Sequence, residues 1–446
     1  MSCRLLHISS ERDWPELGGI LQGRSTPDTS VDPTVNSIIA DVISRGDAAL
    51  HDYTRRYDCP DLALHPLRVD AVRMAKAFAE VPGEDLNIIT DAAAHIRAFH
   101  KAQVERSWFL HGEDGSTLGQ KVTPVDRAGL YVPGGQGGQT PLISSLLMSA
   151  IPAQVAGVRG IAVVTPPRRD GSVNPHLLAA AHLLDIDEVY AVGSAWAIAA
   201  LAYGTQSIAP VDVIAGPGNI FVTTAKRLVQ GRVGIDMIAG PSEVLVLADS
   251  SANPAWVAAD MLSQAEHDTM ASAMCITDNQ SVAEAVLREL EDQLRSLPRA
   301  ALARQSLRDW GAVVVAPTMR LAIALINRAA PEHLELAVRD PWAVLPHIRH
   351  AGAVFMGHNA PEAVGDYYAG PNHVLPTMGT ARFSSALSVQ TFCKKSSIVA
   401  TSPDFIQRHG AAIARLARLE GLEAHARSIE TRTGETHPGE AHADQC

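Results

Sequence analysis

From Gly129 onward, short β-branched runs alternate with amphipathic stretches, a rhythm that restricts the chain to parallel sheets covered by helices. Parallel neighbours cannot be joined by a tight turn; each pair needs a crossover long enough to hold a helix. The run over residues 160–165 ends at Pro166-Pro167, and a helical pattern over 177–184 leads to a second run over 188–193. A third run, 211–215, enters Gly216-Pro217-Gly218-Asn219 and a helix through Lys226 and Arg227. A second series follows, with strands predicted over 242–248, 271–277, 311–315 and 351–356 and helices over 254–267 and 282–297. Two α/β units are therefore expected. Upstream, residues 32–57 and 73–99 carry apolar residues at helical spacing, as does the tail over 402–429. The polar end beyond Thr431 is expected to fray.

Composition narrows the function. A chain of 446 residues, 46% apolar, buries a sizeable core. Its net charge of -11 opposes general attraction to nucleic acid or anionic lipid, whose phosphates call for a basic face. The start, Met1-Ser2-Cys3-Arg4-Leu5-Leu6-His7, lacks a signal-peptide pattern, and no apolar run reaches the roughly 20 residues that span a bilayer. Cys3, Cys59, Cys275, Cys393 and Cys446 are scattered and form no Cys-x-x-Cys pair, so reduced thiols are expected and a thiolate zinc site is not. These features predict a cytoplasmic protein acting on small molecules.

Chemistry-bearing residues gather in a few motifs. In Ser263-Gln264-Ala265-Glu266-His267-Asp268, Gln264 and His267 are three apart and share one face of a helix, where both can reach a single ion. Asp366 and His373 lie in the polar segment 357–385, either as further ligands or as hydrogen-bonding groups of a loop. Two oxygen and two nitrogen donors suit zinc or manganese. In Pro331-Glu332-His333 the adjacent side chains are expected to diverge and take separate proton-transfer tasks, although a helix start explains the same residues. Tyr131-Val132-Pro133-Gly134-Gly135 lacks the strict dinucleotide fingerprint, whereas Gly216-Pro217-Gly218-Asn219 sits at a strand end opening a helix, where ligands of open α/β sheets bind.

Taken in order, these motifs resemble the histidinol dehydrogenase family. The likeness runs from Tyr131-Val132-Pro133-Gly134-Gly135 through Gly216-Pro217-Gly218-Asn219, Ala239-Gly240-Pro241-Ser242-Glu243-Val244, Ser263 to His267, Pro331-Glu332-His333-Leu334 and Gly365 to Thr377, then Glu420 to His425. The resemblance implies two incomplete Rossmann-like domains with parallel sheets flanked by helices, plus small helical N- and C-terminal segments. The division expected is 1–28 as N-terminal segment, 29–127 with 240–380 as the metal and substrate domain, 128–239 as the NAD domain, and 381–446 as a tail reaching the partner of a homodimer. It implies NAD-dependent oxidation of L-histidinol through bound L-histidinal to L-histidine, with one zinc per subunit held by Gln264, His267, Asp366 and the partner subunit's His425. Glu332 and His333 match the catalytic pair. Ser242, Gln264, His267, His333, Asp366, His373, Glu420 and His425 match substrate-pocket groups, and Tyr131 and Asn219 match cofactor contacts.

Two departures stand out. Gly193-Ser194-Ala195-Trp196 occupies the place of the family's Gly-Gly-Ala-Gln, whose glutamine contacts the cofactor, so Trp196 either stacks on NAD or fills volume. The loop 134–139 also looks longer than is usual in the family. The competing enzyme is a relative on the same scaffold that oxidises another primary alcohol, such as a sulfonated polyol, whose anion calls for a basic pocket residue.

Overall fold

The computed structural model describes residues 2–25, 29–60, 66–135 and 140–434. Most of the loop 134–139 and the polar end from residue 435 therefore lie outside the described residues. Two compact units divide the chain: residues 1–104 with 125–392, and residues 105–124 with 393–446.

The larger unit is built on two six-stranded sheets. In the first, the strands Arg4–His7, Ala312–Val315, Ser272–Thr277, Glu243–Ala248, His333–Ala337 and Ala353–Met356 lie side by side in that order, all parallel. Side chains along Glu243–Ala248 alternate faces: Val244, Val246 and Ala248 join one core with Val257, Met261 and Leu290, while Leu245 and Leu247 join another with Leu17, Leu325 and Ile326. Both faces are covered, which is why such strands read as unbroken apolar runs. The second sheet has the order Arg68–Val69, Glu188–Ala191, Gly160–Thr165, Arg127–Tyr131, Val213–Ala215, Gly234–Ile235; all pairs are parallel except the first. Each sheet has a switch point where strand order reverses, between Glu243–Ala248 and His333–Ala337 in one and between Arg127–Tyr131 and Val213–Ala215 in the other.

The smaller unit differs from a purely helical tail. Strands Cys393–Ala400, Thr117–Pro124 and Trp108–His111 form an antiparallel sheet, and the helices Pro403–Leu419 and Glu423–Thr433 pack on each other. Arg418 clasps this helix pair, pairing with Glu423 at 2.9 Å and Glu430 at 2.6 Å. Trp108, Phe109, Leu110, Leu118, Val399, Leu416 and Leu419 of this unit are exposed.

Several element bounds depart from expectation for local reasons. The stretch 32–57 is two helices, Asp32–Arg45 and Asp47–Tyr57, broken at Gly46 with φ 58°, and 73–99 falls in two helices, Ala71–Glu80 and Gly83–Lys101, parted at Val81-Pro82. Arg4–His7 is an edge strand of the first sheet instead of part of a separate segment. The helices of 32–101 pack on the second sheet: Val35, Ile38 and Leu50 meet Tyr190 and Ile198, while Ile89 and Ile96 meet Leu146 and Ile151. Their apolar stripes therefore belong with 128–239, contrary to the grouping of 29–127 with 240–380.

Candidate active site

His333 opens its strand, paired in register with Val244 of the neighbouring strand. It stands at the N-terminal end of the first sheet's switch point, opposite the end at which open α/β sheets usually bind ligands. The segment Pro331-Glu332-His333 thus leads into a strand, not a helix. His333 Nδ1 lies 2.9 Å from the Glu243 carbonyl oxygen, an atom that only accepts, so Nδ1 carries the proton and Nε2 keeps its lone pair. That Nε2 is buried and has no hydrogen-bond partner. Burial lowers the imidazole pKa to about 4, so the ring is neutral near pH 7.

Carboxylates surround this imidazole. Glu332 Oε2 accepts the Glu243 backbone N–H at 2.8 Å and lies 3.7 Å from His333 Nδ1, so the neighbouring side chains converge where divergence was expected. Glu362 and Asp366 are four apart on the helix Glu362–Tyr367 and share a face. Glu362 Oε1 is 3.7 Å from His333 Nδ1, and Asp366 Oδ1 is 3.9 Å from His333 Nε2. Donor atoms of His333, Glu362 and Asp366 fall within 4.8 Å of one another, a spacing that suits a metal ion. Among the ion pairs of the described residues, Glu362 and Asp366 find only His333. Burial, then the charges of neighbouring carboxylates, pushes Glu332 and Glu362 well above the usual carboxylate range, and burial pushes Asp366 up to about 6. A cation would offset that crowding of like charge.

Of the expected metal donors, Gln264 ends a helix, Pro254–Ala265, started by Pro254 and capped by the Asn253 side chain. His267 lies two residues past the helix, in a turn closed by its own N–H on the Gln264 carbonyl at 3.2 Å. Gln264 is fully buried, and the amide orientation that satisfies its surroundings has its nitrogen donating to Glu362 Oε1 at 2.6 Å and Oε2 at 3.0 Å. His267 is exposed. His373 engages the Asp366 carbonyl oxygen through Nδ1 at 3.0 Å. His333, Asp366 and His373 line a cavity of about 380 Å³ with Phe355 and Leu375, and no Lys or Arg of the described residues lines it. Glu420 and His425 belong to the smaller unit, where they line a shallow cavity together.

One residue with no local signature ties much of the site down. Arg24, on the N-terminal helix Trp14–Ser25, has no exposed side-chain surface. Its guanidinium donates to Glu243 Oε1, Pro241 O and Ser242 O at 3.0 Å each and to Met270 O at 2.8 Å. It thereby fixes the strand start bearing Ser242 and Glu243, and the turn that follows His267.

At the second sheet's switch point the strand ends of Tyr131 and Ala215 meet. Gly216, with φ 115°, lies so close that a Cβ there would sit 2.1 Å from the Tyr131 carbonyl oxygen. Lys226 donates to the Gly216 carbonyl at 2.9 Å, and Asp236 accepts the Gly216 N–H at 2.8 Å. Asn219 is exposed and caps the helix Ile220–Val229 through its side-chain oxygen. Tyr131 is buried, its hydroxyl accepting the Ser194 N–H at 3.2 Å. Trp196 fills volume: it is 4% exposed, its ring lies 5.5 Å from Tyr53 and 5.7 Å from Tyr57, and its indole N–H donates to Thr54. Of the two roles expected for Trp196, stacking on NAD or filling volume, this packing supports the second.

Fold and site define a class, an α/β protein with a neutral, buried histidine set among buried carboxylates. The description "Histidinol dehydrogenase" belongs to the family whose model matches residues 21–433. Histidinol dehydrogenase of Nitratidesulfovibrio vulgaris is 64% identical over 435 residues, covering 98% of this chain and 100% of that protein. The Bacillus subtilis histidinol dehydrogenase is 53% identical over 399 residues, covering 90% and 92%. A crystal structure of histidinol dehydrogenase from Elizabethkingia anophelis superposes with a TM-score of 0.91 at 36% identity, covering 97% of this chain and 98% of that one. The chain belongs to the histidinol dehydrogenase family of oxidoreductases. Among the described residues no helix is long and apolar enough to cross a membrane.

Proposed function

We propose that the protein oxidises L-histidinol through bound L-histidinal to L-histidine, the last two steps of histidine biosynthesis, using two NAD and one zinc per subunit. The observation that carries this reading is His333, pinned through Nδ1–H to the Glu243 carbonyl with a bare, buried Nε2 aimed toward Asp366. Gln264, His267 and Asp366 would hold zinc with His425 of the partner subunit; their oxygen and nitrogen donors fit that ion. Zinc, when bound, anchors the substrate's imidazole and amine, and NAD, when bound, takes the hydride at each oxidation.

The chain's own groups move the protons. His333 Nε2 accepts the alcohol proton as the first hydride leaves carbon, and the aldehyde stays held in place. Glu332 then takes a proton from water as its oxygen adds to the aldehyde carbon, while His333 returns its proton to the aldehyde oxygen, giving the hydrate and freeing Nε2. That hydrate loses the second hydride, with His333 again accepting the hydroxyl proton, and yields the carboxylic acid. Burial and then the neighbouring Glu243 carboxylate raise the Glu332 pKa well above the usual carboxylate range, which strengthens it as a proton acceptor. Ser242, His373 and Glu420 line the substrate's path in this reading, and Tyr131 and Asn219 face NAD. The absence of Lys and Arg among the described cavity-lining residues speaks against a sulfonated substrate. The exposed apolar side chains of the smaller unit support a homodimer whose sites are shared through the 381–446 tail.

Glu332→Gln tests the division of labour. Supplied with L-histidinal, the variant is expected to oxidise it about 100-fold or more slowly than wild type, with alcohol oxidation within about tenfold. Equal losses in the two half-reactions would refute separate roles.

A further inference from the structure

Glu362 is absent from the expected donor set, yet it is the residue through which Gln264 and the His333–Asp366 pair are joined. A glutamine binds a metal only through its carbonyl oxygen, and its side chain can turn over to present the wrong end. The Gln264 amide is fully buried, and in the orientation that satisfies its surroundings its nitrogen donates to both Glu362 carboxylate oxygens, at 2.6 and 3.0 Å. The opposite end of the amide is then the carbonyl. Glu362 is itself held: its backbone N–H donates to the buried Glu335 at 2.7 Å, and it shares a helical face with Asp366, one turn further on.

We infer that Glu362 is a positioning residue for metal binding, fixing the Gln264 amide so that only its oxygen can face the ion. The inference rests on the reading of Gln264 as a zinc ligand. It makes the family's weakest ligand type dependable by giving it a partner that accepts hydrogen bonds and never donates them while ionised. Partners of this kind behind metal ligands are worth about 10–100-fold in affinity.

The test is zinc affinity of the full-length protein by chelator competition, a readout separate from turnover. Glu362→Gln keeps the volume but lets either end of Gln264 find a partner, and is expected to weaken zinc about 10–100-fold. Gln264→Ala alone should weaken zinc as well, and adding it to Glu362→Gln should cause no further loss, because both changes remove one ligand. The exchange Gln264→Glu with Glu362→Gln restores a fixed carboxylate–amide pair with an oxygen toward the metal, and should recover affinity to within about tenfold of wild type. Should Glu362→Gln fold poorly, that exchange carries the test: recovery supports the inference and no recovery overturns it. Unchanged affinity in Glu362→Gln, or losses that add fully with Gln264→Ala, would overturn the inference while leaving Gln264 a ligand. Unchanged affinity in Gln264→Ala would instead sink the zinc-ligand reading beneath it.

Discussion

His333→Asn is expected to lower kcat for L-histidinol oxidation by about 10²–10⁴-fold while zinc content and thermal stability stay near wild type. Asparagine retains an N–H that can reach the Glu243 carbonyl, so the strand start is preserved. What disappears is the lone pair of Nε2, the buried atom with no partner of its own. The same variant probes the shared site: mixed with His425→Ala chains, it should recover activity in heterodimers, in which one of the two sites carries neither change. A loss smaller than about tenfold would remove His333 from the base role. No recovery after verified subunit exchange would argue that each site is built from one chain.

Arg24→Met is expected to be the most destabilising single change near the site, costing about 3–5 kcal/mol in denaturant unfolding. Arg24 and Glu243 form a buried ion pair at 3.0 Å, with side-chain exposures of 0% and 7%. Removing the cation leaves Glu243 charged in a low-dielectric setting and takes donors from the carbonyls of Pro241, Ser242 and Met270. Adding Glu243→Gln removes the stranded charge and should regain part of the loss. A change under about 1 kcal/mol would mean that the pair is screened by water in solution.

The two-sheet architecture was legible because strands covered on both faces become unbroken apolar runs, as in Glu243–Ala248 and Ser272–Thr277. The strand His333–Ala337 was less so, since the buried Glu335 interrupts its apolar pattern. The sheet of the smaller unit was hidden for a different reason: its pairing joins Lys394 to Thr123 and Ala400 to Thr117, positions from distant parts of the chain, and a local pattern cannot carry such contacts. Among site residues, Gln264 and His267 were marked by spacing and motif. Glu362 and Arg24 were not, because a glutamate opening a short helix and an arginine near a helix end read as solvated charges until the fold buries them. Trp196 shows the converse case, a conspicuous residue at a cofactor position that the fold uses to fill space between Tyr53, Tyr57 and Thr54.

The proposed reaction is a four-electron oxidation carried out without release of the aldehyde. It is tested most directly by the NADH formed per L-histidinol consumed, measured on purified protein before chelation, after chelation and after zinc add-back. Two NADH per substrate, lost on chelation and regained with zinc, is the expected result; one NADH with free aldehyde in solution, or none from zinc-loaded protein, would contradict it.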